Sequence, residues 1–359
     1  MIRTIILFLI IFSVVVISHE LGHFLIARKN GIRVIEFSVG MGPTIFSFRK
    51  GGVKYALKPL PIGGACLFEG EDGLENQEEE EAVQADRSEG IPFPKAGVWS
   101  RIATIFAGPF FNFLLAFVVA LVLNAFSGAD LPTVGKVVEN SAAMEAGLQE
   151  GDVITQIGHE RIHFYREVML ISSLNKGETM EVHYERDGQK SVTYVTPKYS
   201  EEDQRYYIGI ANGGEYLKCN PLQVFQYGFY EVEYWVKLTF KSLGMVLQGQ
   251  VTKEDVSGPI GIAKLVGDSY DHAEENYGTA SAILTMLEIV VLLSVNLGIL
   301  NLLPFPALDG GRLVFMLIEV VRGKPIPPEK EGMVHFAGLV VLMLLMVFVM
   351  YNDIMKLVR

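Results

Sequence analysis

His19 and His23 flank Glu20 in the run His19-Glu20-Leu21-Gly22-His23. Set four apart on a helix, two imidazoles project from one face and can bind one ion. Glu20 follows the first of them, near enough to reach a water on that ion without being a ligand. Zinc suits this pattern: it acts as a Lewis acid and lowers the pKa of its water to about 7, and the glutamate takes the proton. Such a site needs a third protein ligand and one open position. The best candidate is Asp309, in the run Asn301-Leu-Leu-Pro-Phe-Pro-Ala-Leu-Asp309-Gly-Gly, whose prolines and glycines interrupt a helix. Taken alone, Asp309-Gly-Gly reads as a turn, and the two histidines alone could be hydrogen-bonded within a bundle.

What must position these groups is apolar. Half of the 359 residues are hydrophobic and 20% are charged, against about a quarter charged in soluble domains. The net charge of −11 excludes a general nucleic-acid binder. Four stretches, 4–27, 102–126, 282–303 and 336–350, approach or reach the roughly 20 apolar residues of a bilayer span. Arg3 before an apolar run fits the opening of a signal peptide. No small-residue cleavage site adjoins His19, however, and Leu21, Phe24, Leu25 and Ile26 continue the pattern, so the segment is read as retained. Ionisable groups inside such a span are costly and are read as functional.

Lys and Arg near the spans set orientation. Arg28, Lys29, Arg33, Arg49, Lys50, Lys54, Lys58, Arg87, Lys95 and Arg101 lie between spans one and two, and Arg312, Arg322, Lys324 and Lys330 between three and four. Both loops are expected to be cytoplasmic and both chain ends extracytoplasmic. The same reasoning puts His19 and Asp309 towards the cytoplasmic side, where broken helix is tolerated if buried in protein or lining a wet cavity. The acidic run Glu69, Glu71, Asp72, Glu75 and Glu78 to Glu81 reads as a solvated linker. Cys66 and Cys219 are too few and too far apart to argue a disulfide framework.

The expected fold class is a polytopic α-helical membrane protein of four transmembrane helices with one inserted extracytoplasmic α+β domain. Residues 1–127 hold the first two spans and a cytoplasmic-side hairpin. Residues 128–200 hold the insert, 201–279 an extracytoplasmic linker, and 280–359 the last two spans. In the insert, strands are expected at 134–138 and 152–157, helices at 141–146 and 166–174, and a hairpin around Asp187-Gly188. The run Ser141-Ala-Ala-Met-Glu-Ala-Gly-Leu-Gln-Glu-Gly-Asp-Val-Ile154 resembles the signature of PDZ domains. The piece 221–248 is expected to form either an amphipathic helix on the membrane surface or a packed helix of the soluble part. Glu288 is expected to face the bundle or a polar partner, and His335 to be a cap or interface residue.

Together, His-Glu-Leu-Gly-His in span one and Asn301-x-x-Pro-x-Pro-x-Leu-Asp309-Gly after span three resemble the site-2 protease family of intramembrane zinc metalloproteases. The PDZ-like insert, Gly108-Pro-Phe-Phe-Asn112 and Ser257-Gly-Pro-Ile-Gly-Ile262 resemble its bacterial, regulator-processing branch. The resemblance implies zinc (Zn2+) held by His19, His23 and Asp309, with Glu20 as general base. It implies a multi-pass protein of the bacterial cytoplasmic membrane that cleaves a single-pass membrane substrate within the lipid bilayer. Such substrates are anti-sigma factors or signal-peptide remnants, first trimmed by an upstream site-1 protease. It further implies that Asn301 helps hold substrate, that Asn112 assists near the active site, and that Pro59 to Ala65, with Gly63 and Gly64, forms a membrane-dipping hairpin that pairs with an unwound substrate. Two features depart from the branch: one PDZ-like domain rather than two, and the long acidic run. Two other classes compete: a membrane-tethered PDZ scaffold, which the intact Glu20 opposes, and a secreted metallopeptidase, which the later spans oppose.

Overall fold

The computed structural model describes residues 2–70, 90–201, 205–213, 216–252 and 256–358. The acidic run lies, from residue 71 onward, outside the described residues. Two compact units divide the chain, one of residues 1–120 with 235–359 and the other of 121–234.

Among the described residues, four helices, seated wholly or mostly in the first unit, are long and apolar enough to cross a membrane: α1 (Ile2–Lys29), α2 (Val98–Ser127), α7 (Thr279–Leu302) and α9 (Pro328–Val358). Each matches an expected span, and all begin before it, while α7 ends one residue short at Leu302. Hydropathy ends where side chains turn polar, as at Arg28 and Lys29, whereas the backbone hydrogen bonds of a helix carry on. The backbones of α1 and α2 touch at Gly22: a Cβ there would lie 2.3 Å from the carbonyl oxygen of Ala107. Close approach at small residues is how helices gain contact where no hydrophobic force drives them together.

Between α7 and α9 the chain turns through residues 303–308 and forms α8 (Asp309–Arg322). Phe8, Ile11 and Val15 of α1 pack with Met286, Ile289 and Val290 of α7 and with Val266 of α6 (Pro259–Tyr277). The start of α6 explains the Ser257-to-Ile262 motif. Buried Asp353 of α9 accepts hydrogen bonds from the N–H groups of Gly258 (3.0 Å) and Gly261 (2.8 Å), capping α6 from another helix. A Cβ on Gly258 would lie 2.8 Å from Asp353 Oδ2. The rest of α9 is largely exposed.

At the end of the bundle where α1 finishes and α2 begins sits a four-stranded sheet of β1 (Val34–Met41), β2 (Phe46–Lys50), β3 (Val53–Leu57) and β4 (Leu60–Phe68), in the order β2-β3-β1-β4. β1 runs parallel to β3 and antiparallel to β4. Its core joins Val34, Val53, Cys66 and Phe68 to Phe24 and Ala27 of α1, Ile105 of α2 and Met316 of α8. Buried Glu36 on β1 is paired with Lys54 and Lys58, each at 2.8 Å.

The second unit carries the insert. Strands β6 (Val134–Val137), β7 (Val153–Ile157), β9 (Met180–Arg186) and β10 (Gln189–Val195) and helices α3 (Ala142–Glu145) and α4 (Tyr165–Leu174) fall where the periodicity predicts them. Asp187 and Gly188 both take positive φ, 51° and 77°, as a two-residue hairpin turn between β9 and β10 requires. Short strands β5 (Ala129–Asp130), β8 (Glu160–Arg161), β11 (Lys198–Ser200), β12 (Arg205–Tyr207), β13 (Ile210–Asn212) and β14 (Tyr216–Leu217) complete it. Val134, Ile154, Val168, Val182 and Ile208 form its core. The first half of α5 (Pro221–Leu247) packs here: Tyr230 stacks on His163, and Glu231 pairs with Arg166. The packed reading therefore describes one face of this helix, while Leu222, Phe225 and Phe229 stay exposed on it.

Candidate metal centre

His19 and His23 project from one face of α1, as their spacing dictates, and both are buried. Each ring is turned by a group on α2. His23 Nδ1 lies 2.9 Å from the carbonyl oxygen of Thr104. A carbonyl only accepts, so Nδ1 carries the proton and Nε2 keeps a lone pair. His19 Nδ1 lies 3.2 Å from Asn112 Nδ2, while Asn112 Oδ1 is buried without a hydrogen-bond partner. A half-turn of that amide lets Oδ1 accept Nδ1–H and leaves the Nε2 lone pair of His19 free as well.

Asp309 opens α8 and brings its carboxylate to the same point. Its Oδ2 lies 3.1 Å from His19 Nε2 and 3.5 Å from His23 Nε2, and the two Nε2 atoms are 3.1 Å apart. Ligand atoms about 2.0–2.1 Å from a tetrahedral zinc would be separated by roughly 3.3 Å, so the triangle has the size that zinc requires. Its chemistry fits too. With their protons on Nδ1, two imidazole nitrogens and a carboxylate oxygen converge as three electron-rich atoms, and Asp309 Oδ2 is buried without a hydrogen-bond donor. Only a cation placed among them makes the arrangement favourable.

Space for the rings comes from glycine. A Cβ on Gly108 would lie 2.3 Å from His23 Nε2 and 2.8 Å from His19 Cε1. The Gly108-Pro-Phe-Phe-Asn112 motif thus places both a gap and an orienting amide one turn apart on α2. Glu20, half-buried, lies within electrostatic reach of both histidines and Asp309, and its carboxylate accepts a hydrogen bond from the backbone of Cys66 on β4. Gly64 lets β4 come this close: a Cβ there would lie 2.9 Å from Glu20 Cγ and 3.0 Å from the carbonyl oxygen of Ser38. Gly63 takes a φ of +95°, which favours glycine. Among the described residues no strand pairs with the other edge of β4, where Cys66 meets Glu20.

Of the residues singled out in the sequence, His19, Glu20, His23, Asp309, Asn112 and Gly64 therefore meet at one place. Asn301 stands half-buried in the last turn of α7, eight residues before Asp309. Glu288, expected to face the bundle or a polar partner, is exposed but not without a partner. Thr104, Gly22 and Ala107 were not legible as parts of the site. The spacing of Gly22 and Gly108 as small residues in apolar helices was the available signal.

A model of peptidase family M50 matches residues 7–345. The zinc metalloprotease RasP of Geobacillus kaustophilus is 33% identical over 423 aligned residues, covering 99% of this chain and 98% of its own. The regulator of sigma-W protease RasP of Bacillus subtilis is 33% identical, with 99% of each chain covered. A putative zinc metalloprotease of Clostridium acetobutylicum is 31% identical over 98% of this chain and 97% of its own. This chain belongs to peptidase family M50, the site-2 proteases whose paired motifs its sequence carries.

Proposed function

We propose that this chain is an intramembrane zinc endopeptidase of the bacterial cytoplasmic membrane. Its substrates are the transmembrane segments of membrane-anchored regulators such as anti-sigma factors, or signal-peptide remnants, after a first cut by another protease. The observation that carries the reading is the triangle of His19 Nε2, His23 Nε2 and Asp309 Oδ2, with sides of 3.1–3.5 Å. These three residues hold the ion, and Thr104 and Asn112 fix the ring tautomers. When bound, zinc polarises the scissile carbonyl and acidifies water. Glu20 accepts the proton of the attacking water and passes it to the leaving amide nitrogen as the C–N bond breaks.

A peptide bond has to leave its helix before water can reach it. The edge of β4 that carries no partner strand offers an unwound substrate segment the backbone partners it then lacks, close to Glu20. The basic residues flanking the spans support a cytoplasmic-side centre with both chain ends and the PDZ-like insert outside. The test uses the full chain in detergent. Glu20→Gln should abolish cleavage of a model transmembrane substrate while zinc stays bound, and a variant that still cleaves would remove Glu20 from the mechanism. Asp309→Ala should lower zinc content.

A further inference from the structure

We propose that His335 of α9 is a positioning residue for Asp309, holding the loop that carries it through one hydrogen bond to Ala307. The proposal rests on the reading of Asp309 as a metal ligand. The loop between α7 and α8 contains few backbone donors, because Pro304 and Pro306 have no N–H. Leu303 donates to Leu300 in the last turn of α7 at 3.1 Å, and within the loop Phe305 donates to Leu303 at 2.7 Å and Leu308 to Phe305 at 3.2 Å. The remaining donor, Ala307 N–H, goes outside it, to His335 Nδ1 at 2.9 Å.

Ala307 also has the most strained backbone of the loop. Its φ is +73°, a conformation that a residue with a side chain adopts only where its surroundings over-determine it. Those surroundings are α9. Gly338, about one turn beyond His335, is so close to the loop that a Cβ would lie 2.4 Å from Pro306 Cβ and 2.5 Å from its carbonyl oxygen. The ring of His335 lies 5.5 Å from that of Phe315 on α8, so the imidazole bridges the loop and the helix that Asp309 opens. Without an acceptor at this point, Ala307 would relax towards an ordinary φ, and the carboxylate two residues on would swing from the histidines. His335 touches none of the three ligand atoms and acts only through Ala307.

The experiment measures zinc dissociation from the full chain in detergent, against a competing chelator, for His335→Ala, His335→Asn, His335→Gln and Asp309→Ala. Asn places its side-chain oxygen where Nδ1 of histidine sits, whereas Gln is nearer in size but places its oxygen one bond further. Loss of an outer partner of a metal ligand weakens affinity by about 10–100-fold. His335→Ala should fall in that range, His335→Asn should regain most of the loss, and His335→Gln should not. Wild-type affinity in the alanine variant, or glutamine restoring as well as asparagine, would overturn the proposal in favour of mere space-filling. Should the alanine variant fail to fold, the asparagine–glutamine contrast decides alone. Zinc retained in Asp309→Ala would instead sink the ligand assignment. Zinc lost there with a flat His335 series would sink only the positioning role.

Discussion

The proposed metal centre joins two regions held in contrasting ways. His19 and His23 stand on α1, which meets the α2 backbone at Gly22 and lays both imidazoles against Gly108, so their positions follow from packing. Asp309 stands after a proline-rich turn, and the helix that covers this turn, α9, is mostly exposed and meets it through His335 and Gly338. Two of the proposed ligands are therefore fixed by close-packed helices and the third by a few directional contacts. Packed interfaces tolerate almost no added volume. Directional contacts fail when one atom is removed.

The contrast breaks most severely at Gly108. Gly108→Val should remove zinc binding altogether, since even a Cβ would occupy the space of both rings; zinc content after purification reads this out. Gly22→Leu comes next. It should force α1 from α2 and lower stability in detergent by about 1–3 kcal/mol or more, the range for overpacking, read as a lowered thermal midpoint and weaker zinc retention. At α9 the effects should be smaller and more selective. Asp353→Ala removes the cap of α6 and should cost about 0.5–2 kcal/mol, with zinc affinity little changed because the cap lies away from the loop. A loss of zinc equal to that of Gly22→Leu would erase the distinction between packed and pinned ligands.

The smallest expected effect is a pH dependence in the sheet. Burial alone would raise the Glu36 carboxyl, but hydrogen bonds and charge from Lys54 and Lys58 outweigh it and hold the group below the usual carboxylate range. A carboxyl depressed in the fold contributes stability above its ordinary pKa and loses it as pH falls through the lowered one. Glu36→Gln should therefore flatten the acid limb of the stability curve and leave the centre's zinc affinity at neutral pH unchanged.

The parts of this arrangement visible in the sequence are those encoded locally. His19, Glu20 and His23 share one helical face, so their spacing sufficed. The spans announced themselves through composition, and Asp187-Gly188 through its turn chemistry. The four-stranded sheet was legible only as the hairpin near Gly63 and Gly64, because β1 alternates with Glu36 and Ser38 on its buried side rather than with apolar residues. Helix α6 was hidden in an expected linker: its apolar face is narrow, and its cap comes from Asp353, distant in sequence. The roles of Gly108 and His335 depend on what a second helix brings opposite them, which no local pattern encodes.

The two anchors of α9 carry a mechanical consequence. His335 fastens one part of the helix and Asp353 the other, with a rise between them of roughly 27 Å at 1.5 Å per residue, close to the hydrocarbon depth of a bilayer. A span usually answers a thicker or thinner membrane by tilting. One tethered at both ends would resist that tilt, and the tether at His335 reaches the loop two residues before Asp309.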